Sequence, residues 1–125
     1  MEQKATITPI VERPNLPKDY GVPEGTEGTL PWEWAVERLT QAWQYWLATV
    51  RPDGRPHAVP VWGAFVDNAI WIEGGATTRW ARNLAARGDI VVHIEQGREV
   101  VMVEGVAEQA RHLMPETAAK VKAQY

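Results

Sequence analysis

The stretch Gly74-Gly75-Ala76-Thr77-Thr78-Arg79-Trp80-Ala81-Arg82-Asn83 gathers residue types that together favour an anion. Two glycines let the backbone come close to a ligand, and a helix opened by Thr77 or Thr78 presents free N–H groups at the positive end of its dipole. The two hydroxyls add donors, and Arg79 and Arg82 add charge. Phosphate suits such a set above other anions. An ordinary helix cap flanked by solvated arginines uses the same residues, because threonine is a common N-cap. Spacing alone leaves both readings open.

Conventional catalytic sets are thin. His57, His93 and His112 show no metal-ligand spacing, so each reads by itself as a structural or surface residue. The chain contains neither serine nor cysteine, which excludes a serine nucleophile, a thiolate metal site and a disulfide framework. Glu73, Glu95 and Glu104 fall in strand-like segments, where the outward face of an antiparallel sheet is the default place for a carboxylate. A chain of this kind can still be an enzyme if a cofactor does the difficult chemistry and the protein supplies position and electrostatics.

Composition narrows the choice. With 125 residues, 45% of them hydrophobic, the chain suits one core. The net charge of -3, with both signs dispersed, gives no broad basic surface for nucleic acid. The segment from Met1 to Pro17 carries charges and prolines where a secretory signal needs an apolar run, and no stretch of about 18 apolar residues suggests a membrane span. A soluble, cytoplasmic protein is expected. Seven tryptophans against one phenylalanine suit interfaces and pockets for flat ligands, because an indole joins a large apolar area to an N–H that needs a partner when buried.

The elements that must position these residues follow from punctuation and period. Residues 1–29 hold four prolines and three glycines, a density that blocks helix and central strand, and they read as an extended arm. Pro31 suits a first helical position, and Trp32, Val36, Leu39 and Trp43 recur at helical spacing. From Tyr45 the period becomes two. Trp46 to Arg51 reads as a strand, Pro52-Asp53-Gly54-Arg55 as a turn, and Pro56 to Phe65 as the returning strand. In that second strand His57, Val59, Val61 and Phe65 alternate with Ala58, Pro60, Trp62 and Ala64, and Pro60 requires a bulge or an open edge.

Asp67-Asn68 marks the next turn and Ala69 to Glu73 a third strand, followed by a helix from Thr77 or Thr78 to Arg87 with Gly88 at its stop. Ile90 to Glu95 and Glu99 to Ala107 give two more strands around Gln96-Gly97-Arg98, and Met114 to Tyr125 gives a last helix. Short strands with regular turn signals favour an antiparallel barrel or sandwich over a parallel sheet.

Three segments, in this order, resemble the pyridoxamine 5'-phosphate oxidase-like proteins, the split-barrel flavin and deazaflavin oxidoreductases. They are Tyr45 to His57 with Val59-Pro60-Val61-Trp62, then Thr78-Arg79-Trp80-Ala81-Arg82-Asn83-Leu84, then Arg98-Glu99-Val100 to Glu104-Gly105. The likeness covers about Leu30 to Gln109. It implies a mostly β split barrel with flanking helices over 30–125, working as a homodimer with two cofactor grooves between subunits. The cofactor ring would lie against Pro60, Val61 and Trp62, the phosphate would sit at Thr77, Thr78 and Arg79 with Arg82 nearby, and Glu99 falls where the oxidases have a glutamine that touches the flavin of the neighbouring site.

The departures from that pattern concern charge. Where the oxidases offer an arginine and a lysine from the second strand, this chain has Ala58 and Gly63, and Trp80 stands for the lysine at their helix start. The resemblance therefore implies coenzyme F-420 or FMN as cofactor, with the Pro-Val-Trp strand closer to the deazaflavin-using relatives, and it makes activity on pyridoxamine phosphate unexpected. The family continues past the last helix to a strand that helps close the barrel. This sequence ends inside a helical pattern, which implies either a shortened chain or a different closure. The expected function is hydride transfer between a reduced deazaflavin or flavin and a small organic acceptor. The alternative is a non-enzymatic protein that carries, stores or senses a planar cofactor.

Overall fold

The computed structural model describes residues 29–110 and 113–124, together with Pro9. The proposed N-terminal arm and His112 thus lie outside the described residues, apart from Pro9 and Thr29. The chain folds in the order α1 (Trp32–Gln41), β1 (Gln44–Val50), β2 (Pro56–Val66), β3 (Ala69–Ile72), α2 (Arg79–Ala86), β4 (Asp89–Gln96), β5 (Glu99–Val106) and α3 (Pro115–Gln124). The five strands form one antiparallel sheet in the order β3-β2-β1-β4-β5, curled into a half-barrel with the helices around it. Alternation and turn signals favoured an antiparallel barrel or sandwich, and this is the split-barrel architecture that the resemblance implied. No helix among the described residues is long and apolar enough to cross a membrane.

Local chemistry sets the turns. Asp67 and Asn68 both have positive φ, 54° and 61°, and connect β2 to β3 with Val66 facing Ala69, the backbone of a tight hairpin with the right twist. Between β1 and β2, the Asp53 carboxylate accepts from the Arg55 backbone N–H at 3.1 Å and from its Nε at 2.9 Å. The backbone bond, followed by the guanidinium, holds the Asp53 carboxyl below its ordinary pKa. Because folding lowers that pKa, the turn gains from it above the ordinary carboxylate range and loses the gain as pH falls through the lowered value.

Strand β1 alternates strictly: Tyr45, Leu47 and Thr49 are buried, and Trp46, Ala48 and Val50 face the other way. The register pairs Tyr45 with Val61 and Leu47 with Val59 on the inner face, and Trp46 with Pro60 and Gln44 with Trp62 on the outer face. Inside, Leu39, Tyr45, Leu47, Phe65, Val92, Ile94 and Val101 form the main core, and a smaller cluster of Ala64, Val66 and Val121 lies under α3. The β1–β2 ladder runs without a bulge from Trp62 to Pro56, and β3 pairs only with residues 63–66 of β2. Pro60 therefore sits where β2 has a neighbour on one side alone, so its missing N–H breaks no ladder bond.

The first helix is shorter than its apolar spacing suggested. It ends at Gln41, and Trp43 is left outside it, 63% exposed. Tyr45 explains the stop: its buried hydroxyl donates to the Leu39 carbonyl, with the Ala42 carbonyl at 3.3 Å, so the phenol closes the C-terminal end of α1 from β1. Likewise α2 ends at Arg87 in extended conformation, not at a left-handed glycine stop.

Where β2 passes from β1 to β3, Gly63 is pinched. A Cβ there would lie 2.7 Å from Ile72 Cδ1 and 2.9 Å from both the Trp71 carbonyl oxygen and the Tyr45 ring. One of those neighbours is backbone, which cannot swing aside. Gly63→Ala is therefore expected to destabilise the fold by about 1 to 3 kcal/mol, read as a lower midpoint in urea unfolding; a wild-type midpoint would refute the close approach.

Candidate functional site

Strand β3 ends at Ile72 opposite Gly63, so the segment that follows leaves the sheet beside Trp62 and the open edge of β2. It runs into α2, which is fixed beneath β1 by Asn83: this fully buried amide donates to Thr49 Oγ1 at 3.0 Å. Asn83 thus ties α2 to the Thr49 end of β1, whose partner on β2 is His57, while Pro60 and Trp62 lie farther along β2 on its exposed face. Sequence reading singled out the Pro60–Trp62 strand and the Thr77–Arg82 segment but not the Asn83–Thr49 link, which no periodicity could reveal.

Within the strand, the side chains divide. Pro60 and Trp62 stand exposed on the outer face, Trp62 at 68%, whereas Val61 points into the main core and offers a ligand only its backbone. Around them the outer face is apolar and aromatic. The row Pro60, Trp46, His93 and Met102 crosses four strands, with the Trp46 and His93 rings parallel at 6.1 Å and Met102 64% exposed. Trp43 and Trp62 meet edge to face at 6.4 Å. These outer-face aromatics were legible only once the parity of β1 was known.

At the helix start, Thr78 is the N-cap. Its Oγ1 accepts from the Ala81 N–H at 3.3 Å and donates to the Gly75 carbonyl at 2.9 Å. The hydroxyl is committed to capping, and Thr77 is exposed. Arg79 is half-buried and Arg82 exposed, and neither makes an ion pair with another described residue. With the Ala81 N–H taken by the cap, the Arg79 and Trp80 N–H groups, the positive helix end and two guanidinium groups without an ion-pair partner among the described residues could face an anion.

Two sequence expectations change. Gly74 was read as a glycine that admits a ligand, but a Cβ there would lie 2.5 Å from the Trp80 ring, so the vacancy is filled by the protein's own indole. Trp80 itself packs against the main core, which removes it from the anion end. Residue 63, matched to a phosphate-binding lysine of the oxidases, has no room even for a methyl group.

Glu99 lies elsewhere in the same subunit. Extending the β1–β4 register by two residues puts Gln44 beside Glu95, whose partner on β5 is Val100. Trp62 and the start of β5 are then three strand spacings apart, about 14 Å. There Glu99 pairs with Arg38 of α1, N to O 3.0 Å, and the guanidinium carbon lies 4.1 Å from the centre of the Trp34 ring. Beside this pair opens a pocket of about 180 Å³ whose walls include Trp43, Gln44, Trp46 and Glu95. Among the described residues no group of three or more His, Cys, Asp and Glu side chains could hold a metal.

A curled five-stranded antiparallel half-barrel with flanking helices defines the split-barrel class of fold. The pyridoxamine 5'-phosphate oxidase family model matches residues 33–125, and the chain belongs to that family. No curated protein matches the sequence. Among solved structures, a conserved hypothetical protein from Mycobacterium tuberculosis is 28% identical with a TM-score of 0.67, over 80% of this chain and 64% of that one. An F420 reductase is 25% identical with a TM-score of 0.53, over 58% of this chain and 61% of that one. A heme binding protein from Mycobacterium smegmatis is also 25% identical, with a TM-score of 0.57, over 72% of this chain and 40% of that one. The chain spans less than two thirds of the length of each.

The cap gives a direct test of the helix start. Thr78→Ala should lower stability by about 1 kcal/mol, and Thr78→Asp, which keeps an acceptor and adds negative charge at the dipole's positive end, should restore most of it. Thermal unfolding measures both; an unchanged alanine variant would mean that the hydroxyl does not cap.

Proposed function

We propose that this chain is a cofactor-dependent oxidoreductase that transfers a hydride between a reduced deazaflavin, coenzyme F-420, or FMN and a small organic acceptor, and that it works as a homodimer. The observation that carries this reading is the exposed, flat, apolar pair Pro60 and Trp62 on β2, in a chain that also offers the capped start of α2 with Arg79, which makes no ion pair among the described residues. A planar ring with an anionic tail needs both. Membership of the family and likeness to an F420 reductase support the same choice.

The residues present fit such a group with a particular bias. Pro60 and Trp62 would hold the ring and exclude water from it, while the first-turn N–H groups, Arg79 and Arg82 would balance the negative charge. A reduced deazaflavin or flavin held there supplies the hydride. The cations that the resemblance sets around an FMN phosphate are missing at Ala58, Gly63 and Trp80, and Gly63 and Trp80 are closed off by packing. FMN relies on that one anchor, whereas the longer phosphodiester and glutamate tail of the deazaflavin spreads its charge over several arginines, with Arg51 and Arg55 of the β1–β2 turn within the same chain.

The homodimer is supported by the outer face. Trp43, Trp62, Val100, Met102 and Val106 are all large, apolar and exposed, more than an isolated small domain needs to show. A second reading has its own observation: the likeness to a heme binding protein at the same identity favours a planar-cofactor carrier without turnover. Reduced cofactor plus an acceptor panel separates the two, because a carrier binds without oxidising what it holds.

Two measurements follow. Calorimetry at one ionic strength should give coenzyme F-420 an affinity at least about tenfold above that of FMN, or 1.4 kcal/mol, and Arg79→Ala should weaken deazaflavin binding by roughly 1.5 to 3 kcal/mol. Equal or tighter FMN binding would overturn the deazaflavin assignment. Light scattering at micromolar concentration should report two chains per particle, and a monomer at every concentration would remove the interfacial groove.

A further inference from the structure

The pocket at the rim of the sheet carries a charge pattern that cofactor binding leaves unused. Trp43 and Trp46 give it aromatic walls, and its charged groups are Arg38, Glu95 and Glu99. Arg38 and Glu99 neutralise each other at 3.0 Å, and the guanidinium also rests over Trp34. Glu95 is exposed and has no hydrogen-bond or ion-pair partner among the described residues, so the lining holds one negative charge in excess. Two indoles and one uncompensated carboxylate around an opening of about 180 Å³ suit a small aromatic cation. The opening also adjoins the proposed ring seat, because Trp43 touches Trp62.

We infer that this pocket receives the hydride acceptor and that the acceptor is a cation: an iminium ion or an N-alkylated heteroaromatic ring whose positive charge lies over the Trp43 and Trp46 indoles, with the Glu95 carboxylate beside it. The chemical role rests on the hydride-transfer reading above; the binding preference does not. Hydride from the reduced deazaflavin or flavin forms a C–H bond at the electrophilic carbon, and the C=N π pair moves onto nitrogen and cancels its charge. The cofactor is oxidised by two electrons and releases its remaining N–H proton to solvent. No protein acid is needed to complete the acceptor. That suits a chain with no serine and no cysteine, whose pocket lining among the described residues includes no histidine. The product is neutral and loses its attraction to indole and carboxylate, which favours its release.

The full-length chain can be titrated calorimetrically with N-methylquinolinium and with quinoline, under conditions where quinoline is uncharged. The cation should bind about tenfold more tightly than its neutral counterpart, with affinity falling as salt is added. Glu95→Gln, an exposed and nearly isosteric change, should remove about three- to fivefold of that margin. Trp43→Ala should weaken the cation further. Equal affinity for the two probes, or a margin untouched by Glu95→Gln, overturns the proposal. Failure of the hydride reading looks different: neither reduced coenzyme F-420 nor reduced FMN would be oxidised by any acceptor, charged or neutral, while the preference for the cation persisted.

Discussion

Tyr45 is fully buried, and three parts of the molecule are built against it. Its hydroxyl donates to the end of α1, its backbone belongs to the central strand, and its ring stands 2.9 Å from the point where a side chain at residue 63 would begin. A buried phenol must place its hydroxyl on an acceptor, and the last carbonyls of a helix are acceptors in need of a donor. That pairing fixes α1, and hence Arg38, over the rim of the sheet. On the other side the ring forces glycine at residue 63, where β2 leaves β1 and takes up β3. Both the pocket beside Arg38 and the passage of β2 from β1 to β3 depend on this contact.

The sheet has two faces with different obligations. The inner face closes on Leu39, Phe65 and the β4–β5 valines and isoleucine, and there the polar groups are few: Asn83 donates to Thr49, while its own Oδ1 is buried with no partner among the described residues. The outer face shows tryptophan, methionine, valine and proline to the exterior, with Glu95 and Glu104 among them. Exposed apolar area on that scale costs free energy in water unless something covers it. In the function proposed above, a flat cofactor and a second subunit would cover such a face in complementary ways, the one supplying a ring for Pro60 and Trp62 and the other supplying area.

The proposed anion end departs from the oxidase pattern at several positions. Trp80 and Gly74 interlock where the oxidase pattern has charge, and Gly63 closes a second position to any long side chain. What remains is Arg79 and Arg82 on a capped helix start, a thinner but more spread set of charges. Charges that are dispersed and partly solvated act on an extended anion better than on a single compact one.

How much of this was legible in the sequence depends on the range of the forces involved. The order of elements, the Asp67-Asn68 hairpin, the Thr78 cap and the alternation of β2 are consequences of backbone sterics and hydrogen bonds within a few residues, so the amino-acid types determine them directly. So does the resemblance carried by Tyr45 to Trp62 and Thr78 to Leu84. Only the tertiary structure decided that Trp43 leaves its helix, which of the two faces of β2 is the inner one, that Gly74 makes room for Trp80, and that Glu99 is taken up by Arg38. Each of these is settled by an atom brought from another element to within contact distance, and packing at that range depends on where the whole chain has gone, which spacing along the sequence does not record.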